Sequence, residues 1–157
     1  MEDKVNLDLI EKVRRAPEED FDKLLEEAFK VDLGKFRSGL VQSLRAAASD
    51  ADWGIISFLR DLNVRGYESC WSCEGHVAEV GGWDSGFIEF NSSPITGTSR
   101  HWAVEEKSEV RKLAKRYGIK NLRFDTTTYD DLSSIPEDYS RRTAKFITFD
   151  ALDLIEE

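Results

Sequence analysis

The spacing of apolar residues predicts that the first part of the chain is helical. Apolar side chains recur every three or four residues near 7–15, 17–31 and 40–48, an interval that places them on one face of a helix. Three acidic residues directly after Pro17 suit the positive end of a helix dipole. A fourth helix is predicted over 50–63, since the preceding Ser-Asp-Ala-Asp segment resembles a capping box. Each of these helices has one apolar face to bury.

The pattern changes after residue 66, where short aromatic segments bounded by glycine are typical of strands. A further helix over 101–117 is predicted from its apolar stripe and from Gly118 as its stop. The predicted strands lie near 67–72, 87–91, 121–128 and 143–149. This order favours an α+β fold, with a single mixed or antiparallel sheet of about four strands, helices on one face and an N-terminal helical segment.

The length of 157 residues suits a single domain. Within it we distinguish an N-terminal helical segment (1–48), an α+β core (49–149) and an acidic C-terminal tail (150–157). The acidic segment "DDLSSIPEDYS" (130–140) between the last two strands is predicted to form a long solvated loop. There is no internal repeat and no low-complexity linker.

The charge of the chain is negative overall, but the excess lies at its ends. The formal net charge is −9, and residues 1–33 hold eleven acids and six bases. Residues 34–149 hold sixteen of each, so a local basic surface is compatible with the composition. No apolar run is long enough for a membrane span, and the acidic beginning of the sequence does not resemble a signal peptide. We therefore expect a cytoplasmic protein with no membrane partner.

The segment "GYESCWSCEGHVAEVGGWDSGFIEF" (66–90) holds both cysteines of the chain and one of its two histidines. Cys-x-x-Cys-x-Gly resembles a zinc knuckle, and Cys70, Cys73, His76 and His101, which are all the cysteines and histidines of the chain, would supply four zinc ligands. The tight spacing of His76 after Cys73 departs from the usual arrangement of two separated ligand pairs. A structural Zn²⁺ is thus one interpretation of the segment.

Two other interpretations of the same segment stay open. Cys73 as nucleophile with His76 as base and Glu74 nearby would form a catalytic site of an enzyme acting on a nucleic acid or nucleotide. Alternatively, both cysteines are small buried apolar side chains.

The leading functional prediction is an accessory or regulatory protein that binds another macromolecule, most simply a protein, through the loop 72–84. Its predicted contact residues are Trp71, Ser72, Gly75 and Trp83.

The helix 101–117 carries basic residues along one stripe, including Arg111 and Lys115. With Trp102 and Tyr117 nearby, this stripe could contact phosphates while the aromatic rings stack on bases. However, cations also accumulate at helix C-termini because of the dipole. Nucleic acid is therefore considered as a partner but is not favoured over protein.

The residues 72–76, Ser-Cys-Glu-Gly-His, stand after a predicted strand and before the strand "GFIEF". This pattern resembles a Ser-Cys-Glu/Ser-Gly-His motif of small uncharacterised proteins of bacteria, phages and archaea. More distantly, it is similar to the Ser-Ser-Cys-Ser-Gly-Arg segment of the wybutosine-synthesising tRNA methyltransferase family, with His76 at the arginine position and Trp71 at that of the first serine. The likeness covers residues 53–91 and implies a related strand-loop-strand core in which residues 72–76 line a site.

Overall fold

A computed structural model describes residues 5–73, 85–97, 101–128 and 143–151. Their helices are α1 (Leu7–Arg15), α2 (Glu18–Phe29), α3 (Ser38–Asp50), α4 (Ile56–Val64) and α5 (Val104–Arg116). Their strands are β1 (Glu68–Cys73), β2 (Ser85–Ser92), β3 (Arg123–Thr128) and β4 (Thr143–Asp150). Short 3₁₀ turns cover Leu33–Lys35 and Trp53–Ile55. The predicted helices and strands are confirmed, whereas the predicted loop 130–140 lies outside the described residues.

Local sequence signals set several helix ends. The side chain of Asn6 accepts a hydrogen bond from the Leu9 backbone N–H and so caps the start of α1. Helix α2 ends at Lys30, whose backbone is left-handed. After α5 the chain turns at Gly118, where φ is +74°, and glycine tolerates this conformation better than any other residue.

The four strands form one antiparallel sheet in the order β1-β2-β4-β3. Among the described strands, β2 and β4 are central, and β1 and β3 are the edges of the sheet. Alternate side chains of the central strands, such as Ile88 and Phe90 in β2 and Ile147 and Phe149 in β4, are buried, as expected when one face of a sheet packs against helices. The α+β prediction with a single sheet is confirmed.

A single cluster of buried apolar side chains joins the N-terminal helices to the sheet, extending from Val5 to Phe149. The folded part continues past Phe149, because Asp150 pairs with Ser85 and Ala151 is fully buried. Among the described residues, no helix combines the length and the apolar character needed to cross a bilayer.

Candidate functional site

The edge strand β1 contains a bulge at Cys70. Ser69 pairs with Phe90 and Trp71 pairs with Glu89, so Cys70 is an extra residue on β1. A bulge of this kind bends its strand and changes the direction of the side chains that follow it. The strand that carries the predicted motif is therefore irregular at its first cysteine.

After the bulge, successive side chains of β1 alternate between the two faces of the sheet. Ser72 pairs with Ile88, which is buried on the helix-covered face, whereas Cys73 pairs with Phe87 on the opposite face. Cys70 is exposed at the edge of the sheet, and neither cysteine is in a disulfide. The two thiols therefore lie in different surroundings.

A groove of about 240 Å³ lies between α3 and β1. Helix α3 lines it with Ser43, Ala46, Ala47 and Asp50. These positions follow an i, i+3, i+4, i+7 spacing, so they form one stripe on the helix surface. Strand β1 lines the other side with Ser69, Cys70 and Ser72, and Ala51 and Leu59 complete the lining. The groove is narrow and is bordered mainly by small side chains.

One end of the groove is fixed by contacts between the start of α3 and the start of β1. Arg37 forms an ion pair of 3.0 Å with Glu68 and donates a hydrogen bond to the hydroxyl of Ser92. A Cβ added at Gly39 would lie 2.4 Å from a Glu68 carboxylate oxygen, so helix and strand are in close contact there. The groove lies beyond this contact, along the rest of α3.

The buried side chain of Asn63 holds β1 against α4. Its amide donates to the Ser69 hydroxyl at 2.9 Å and to the Leu59 carbonyl at 2.8 Å, and it accepts from the Ser69 N–H at 3.2 Å. This satisfies the polar atoms of a residue with no exposed surface. The β1 side of the groove is therefore anchored independently of the Arg37 contact.

The structure describes only some of the residues predicted to form a site. Cys70 and Ser72 line the groove, Cys73 lies across the sheet from them, and His101 is exposed just before α5. Glu74, Gly75, His76, Trp83 and the side chain of Trp71 lie outside the described residues. Where the structure describes side chains, no group of three or more His, Cys, Asp or Glu residues could hold a metal ion. Because His76 is not among them, the zinc and catalytic interpretations stay predictions.

The aromatic residues predicted to stack on bases are engaged inside the protein. Trp102 contacts the rings of Tyr67, Phe90 and Phe124, with ring centroids 6.4, 5.7 and 5.0 Å away. Tyr117 packs against Phe58 and donates a hydrogen bond to Asp61. Burial, reinforced by that bond, raises the pKa of Tyr117 to about 12. These rings stabilise the fold and are not a free stacking surface.

The α3 side of the groove was not predicted from the sequence. Serine and alanine have no chemistry that marks a site, and the only signal was the helical spacing of Ser43, Ala46, Ala47 and Asp50. Comparison of the chain with protein-family models, with curated proteins and with solved structures finds no match. The similarity of residues 53–91 to known sequences stays a prediction.

Proposed function

We propose that this protein is an accessory or regulatory protein that binds another protein, and that the groove between α3 and β1 is its contact surface. The observation that carries the proposal is the position of the groove, which runs along an edge strand of the sheet. In the part of the chain that the structure describes, β1 pairs only with β2. An edge strand has backbone N–H and C=O groups on which another chain can pair.

An extended segment of the partner is the occupant that suits this surface best. Such a segment would pair with β1 through its backbone, and its alternate side chains would enter the groove. The small residues Ser43 and Ala46 leave room for these side chains. Asp50 is the one lining residue among those described that has a formal charge, so a basic partner residue would be favoured there.

The proposal keeps the loop predicted from the sequence as part of the contact. The segment 74–84 follows β1 directly in the chain and includes Trp83. Tryptophans beside a groove are effective interface anchors because they bury a large area at low entropic cost. On this proposal, residues 70–84 provide one border of the interface and α3 provides the other.

The experiment that tests this function fills the groove without disturbing the core. Ala46 is exposed on α3 and lines the groove, so Ala46→Trp should block it with little change in stability. Ser49→Trp is the matched control, because Ser49 is also exposed on α3 but does not line the groove.

Wild type, Ala46→Trp and Ser49→Trp are each immobilised and exposed to an extract of the cells in which this protein is naturally made. The amount of each protein that the three samples capture is then compared. A protein captured by wild type and by Ser49→Trp, but lost with Ala46→Trp, should then bind the purified wild type directly in a titration. If Ala46→Trp retains every protein that wild type enriches, the groove is not the contact surface.

The alternative functions depend on residues that the structure does not describe. A catalytic site formed by Cys73, His76 and Glu74, acting on a nucleic acid or nucleotide, would leave capture by the groove unchanged. A zinc site formed by Cys70, Cys73, His76 and His101 would appear as bound metal that Cys73→Ser releases. Metal analysis combined with thiol titration therefore separates both alternatives from the proposed function. The cytoplasmic location predicted from the composition is part of the same proposal.

A further inference from the structure

The positive charge of this acidic chain is concentrated in residues 107–123. This range contains seven lysines and arginines and a single acidic residue, Glu109. The rest of the chain contains 15 bases and 30 acids. The range covers the last three turns of α5, the connection to β3 and the first residue of β3. A strongly basic surface therefore exists on a protein whose net charge is −9.

Almost all of these cations face solvent. The exposed ones are Arg111, Lys112, Lys115, Arg116, Lys120 and Arg123, and Lys107 is half-buried. We call these seven residues the basic surface.

The ion pairs of the described residues leave three lysines of the basic surface without a carboxylate partner there, and the one acidic residue of the range is engaged elsewhere. Glu109 is itself engaged, because it forms an ion pair of 3.2 Å with Arg65 and accepts a hydrogen bond of 2.8 Å from the Tyr67 hydroxyl. Within the described residues, no carboxylate forms an ion pair with Lys112, Lys115 or Lys120. As far as the described residues go, these three charges are available to a partner.

The helix dipole accounts for only part of this charge. Its favourable effect on cations is confined to the last turn of a helix, and in α5 that turn holds Lys115 and Arg116. Arg111 and Lys112 precede that turn, and Lys120 and Arg123 follow the helix. The dipole therefore does not explain the cations that precede and follow the last turn of α5.

The character of the basic surface selects the class of partner. Among the described residues, the exposed large apolar ones all lie outside 107–123; they are Leu7, Trp53, Ile95 and Val104. Protein interfaces usually have an apolar or aromatic centre, which this surface lacks. Binding to a phosphodiester backbone needs only suitably placed cations.

The neighbouring aromatic rings favour a duplex over a single strand. Single-stranded nucleic acids are held largely by base stacking on exposed aromatic rings. Trp102 is packed among other rings, and Phe124 already has the Arg111 guanidinium 5.1 Å and the Lys107 ammonium 5.9 Å from its ring centroid. We propose that residues 107–123 form a sequence-independent binding surface for the phosphate backbone of a double-stranded nucleic acid. This proposal is independent of the groove between α3 and β1.

Fluorescence anisotropy with labelled DNA and RNA duplexes of unrelated sequences, at several salt concentrations, tests the proposal. The surface variant is Lys112→Gln/Lys115→Gln/Lys120→Gln. Its matched control is Lys12→Gln/Lys23→Gln/Lys35→Gln, because these three lysines are also exposed but belong to other elements. Both triple variants change the net charge equally, so they differ only in where the charge is lost. Thermal unfolding of each variant shows whether the fold is retained.

We expect salt-sensitive duplex binding by wild type. The surface variant should bind at least about tenfold more weakly at low salt, and the slope of log Kd against log salt should fall by about 2 to 3. The control variant should stay within about twofold of wild type. The RNA and DNA arms show which duplex is preferred.

Three results would overturn the proposal. They are no duplex binding by wild type at low salt, equal losses in both triple variants, and tighter binding of a single strand than of the matching duplex. Binding to phosphatidylserine vesicles without binding to either duplex would also exclude it, since the surface would then be a membrane contact.

Discussion

The ammonium group of Lys145 and the carboxylate of Glu106 lie 3.8 Å apart, and both side chains are almost completely buried. Lys145 in β4 also donates hydrogen bonds to the hydroxyl groups of Ser93, at 2.7 Å, and Thr96. Its ammonium group lies 5.4 Å from the centroid of the Trp102 ring. The pair therefore ties the sheet to α5 and to the turn that follows β2.

Glu106 is the central hydrogen-bond acceptor of this connection. Its carboxylate accepts hydrogen bonds from the backbone N–H groups of Ile95 (2.9 Å), Thr96 (3.1 Å) and Ala103 (3.0 Å), and from the Thr96 hydroxyl (3.0 Å). Burial alone would raise the pKa of Glu106, but these hydrogen bonds outweigh it and lower the pKa to about 2. The charged form is therefore the one that the fold requires.

The lowered pKa of Glu106 predicts a specific loss of stability in acid. Above its ordinary pKa of 4.5, Glu106 is charged in both folded and unfolded chains, and its stabilising contribution is fully present. As the pH falls from about 5 to about 2, the unfolded chain binds the proton first, so about 3 kcal/mol is lost. Urea unfolding of Glu106→Gln should show a flatter pH dependence in this range than wild type does.

The control for this titration is Glu105→Gln, since Glu105 is the exposed neighbour on the same helix turn. Its pH dependence should follow that of wild type. If Glu106→Gln still loses stability steeply as the pH falls, other carboxylates cause that loss.

The two partners of the buried pair should differ in their contributions to stability. Burial lowers the pKa of Lys145 from its usual value, although the Glu106 carboxylate opposes that shift. Lys145→Met removes a poorly solvated charge and leaves the backbone hydrogen bonds of Glu106 in place, so we expect it to cost less than about 2 kcal/mol. Glu106→Ala leaves several buried donors and the lysine unpaired, which should cost about 3 to 5 kcal/mol. Equal costs in urea unfolding would contradict this assignment.

Most of the fold could be predicted because apolar periodicity is a local signal. In "TAKFITFD", buried and less buried positions alternate, and the lysine occupies one of the buried positions. Lys145 lies on the same face of the strand as Ile147 and Phe149. What the local pattern lacked was the partner, because Glu106 lies in a helix far away in sequence and packs on the strand only after folding. The ring contacts of Trp102 were likewise not visible in the local pattern, since the three rings that it contacts come from other segments.

The candidate site was less predictable than the fold. A one-residue bulge reverses which face of the sheet each later residue occupies, and the sequence around Cys70 has no glycine or proline to indicate it. The α3 side of the groove is lined by small residues. They matter because they leave space between the helix and β1. Such space depends on how closely a helix and a strand approach each other, and no local sequence pattern determines that distance.

Of the described glycines, Gly86 should be the least tolerant of a side chain. A Cβ at this position would lie 2.1 Å from the ring of Phe149, which is fully buried and cannot move aside. Gly86→Ala should therefore cost about 3 kcal/mol or more through overpacking. Gly97→Ala is the comparison, because its Cβ would meet nothing within 4 Å and only its positive φ of 64° is unfavourable. We expect about 1 kcal/mol there. Similar losses at both positions in thermal unfolding would show that the sheet can adjust around Phe149.

The two thiols should react at different rates, because they lie on different sides of the sheet. Cys70 is exposed at the bulge and lines the groove, whereas Cys73 is half-buried opposite Phe87. A maleimide should therefore label Cys70 several times faster than Cys73. The rates can be measured by mass spectrometry, with Cys70→Ser and Cys73→Ser identifying which thiol has reacted.

The groove geometry makes this reactivity experiment more specific. A tryptophan at position 46 would fill the space beside Cys70, so Ala46→Trp should slow the labelling of Cys70 and leave that of Cys73 unchanged. Ser49→Trp should change neither rate, since Ser49 does not line the groove. Slowing of both thiols by Ala46→Trp would indicate a general change in the sheet. Protection of both thiols in wild type, removed by a chelator, would instead support the zinc interpretation, because metal-bound thiolates are shielded from alkylation until the ion is released.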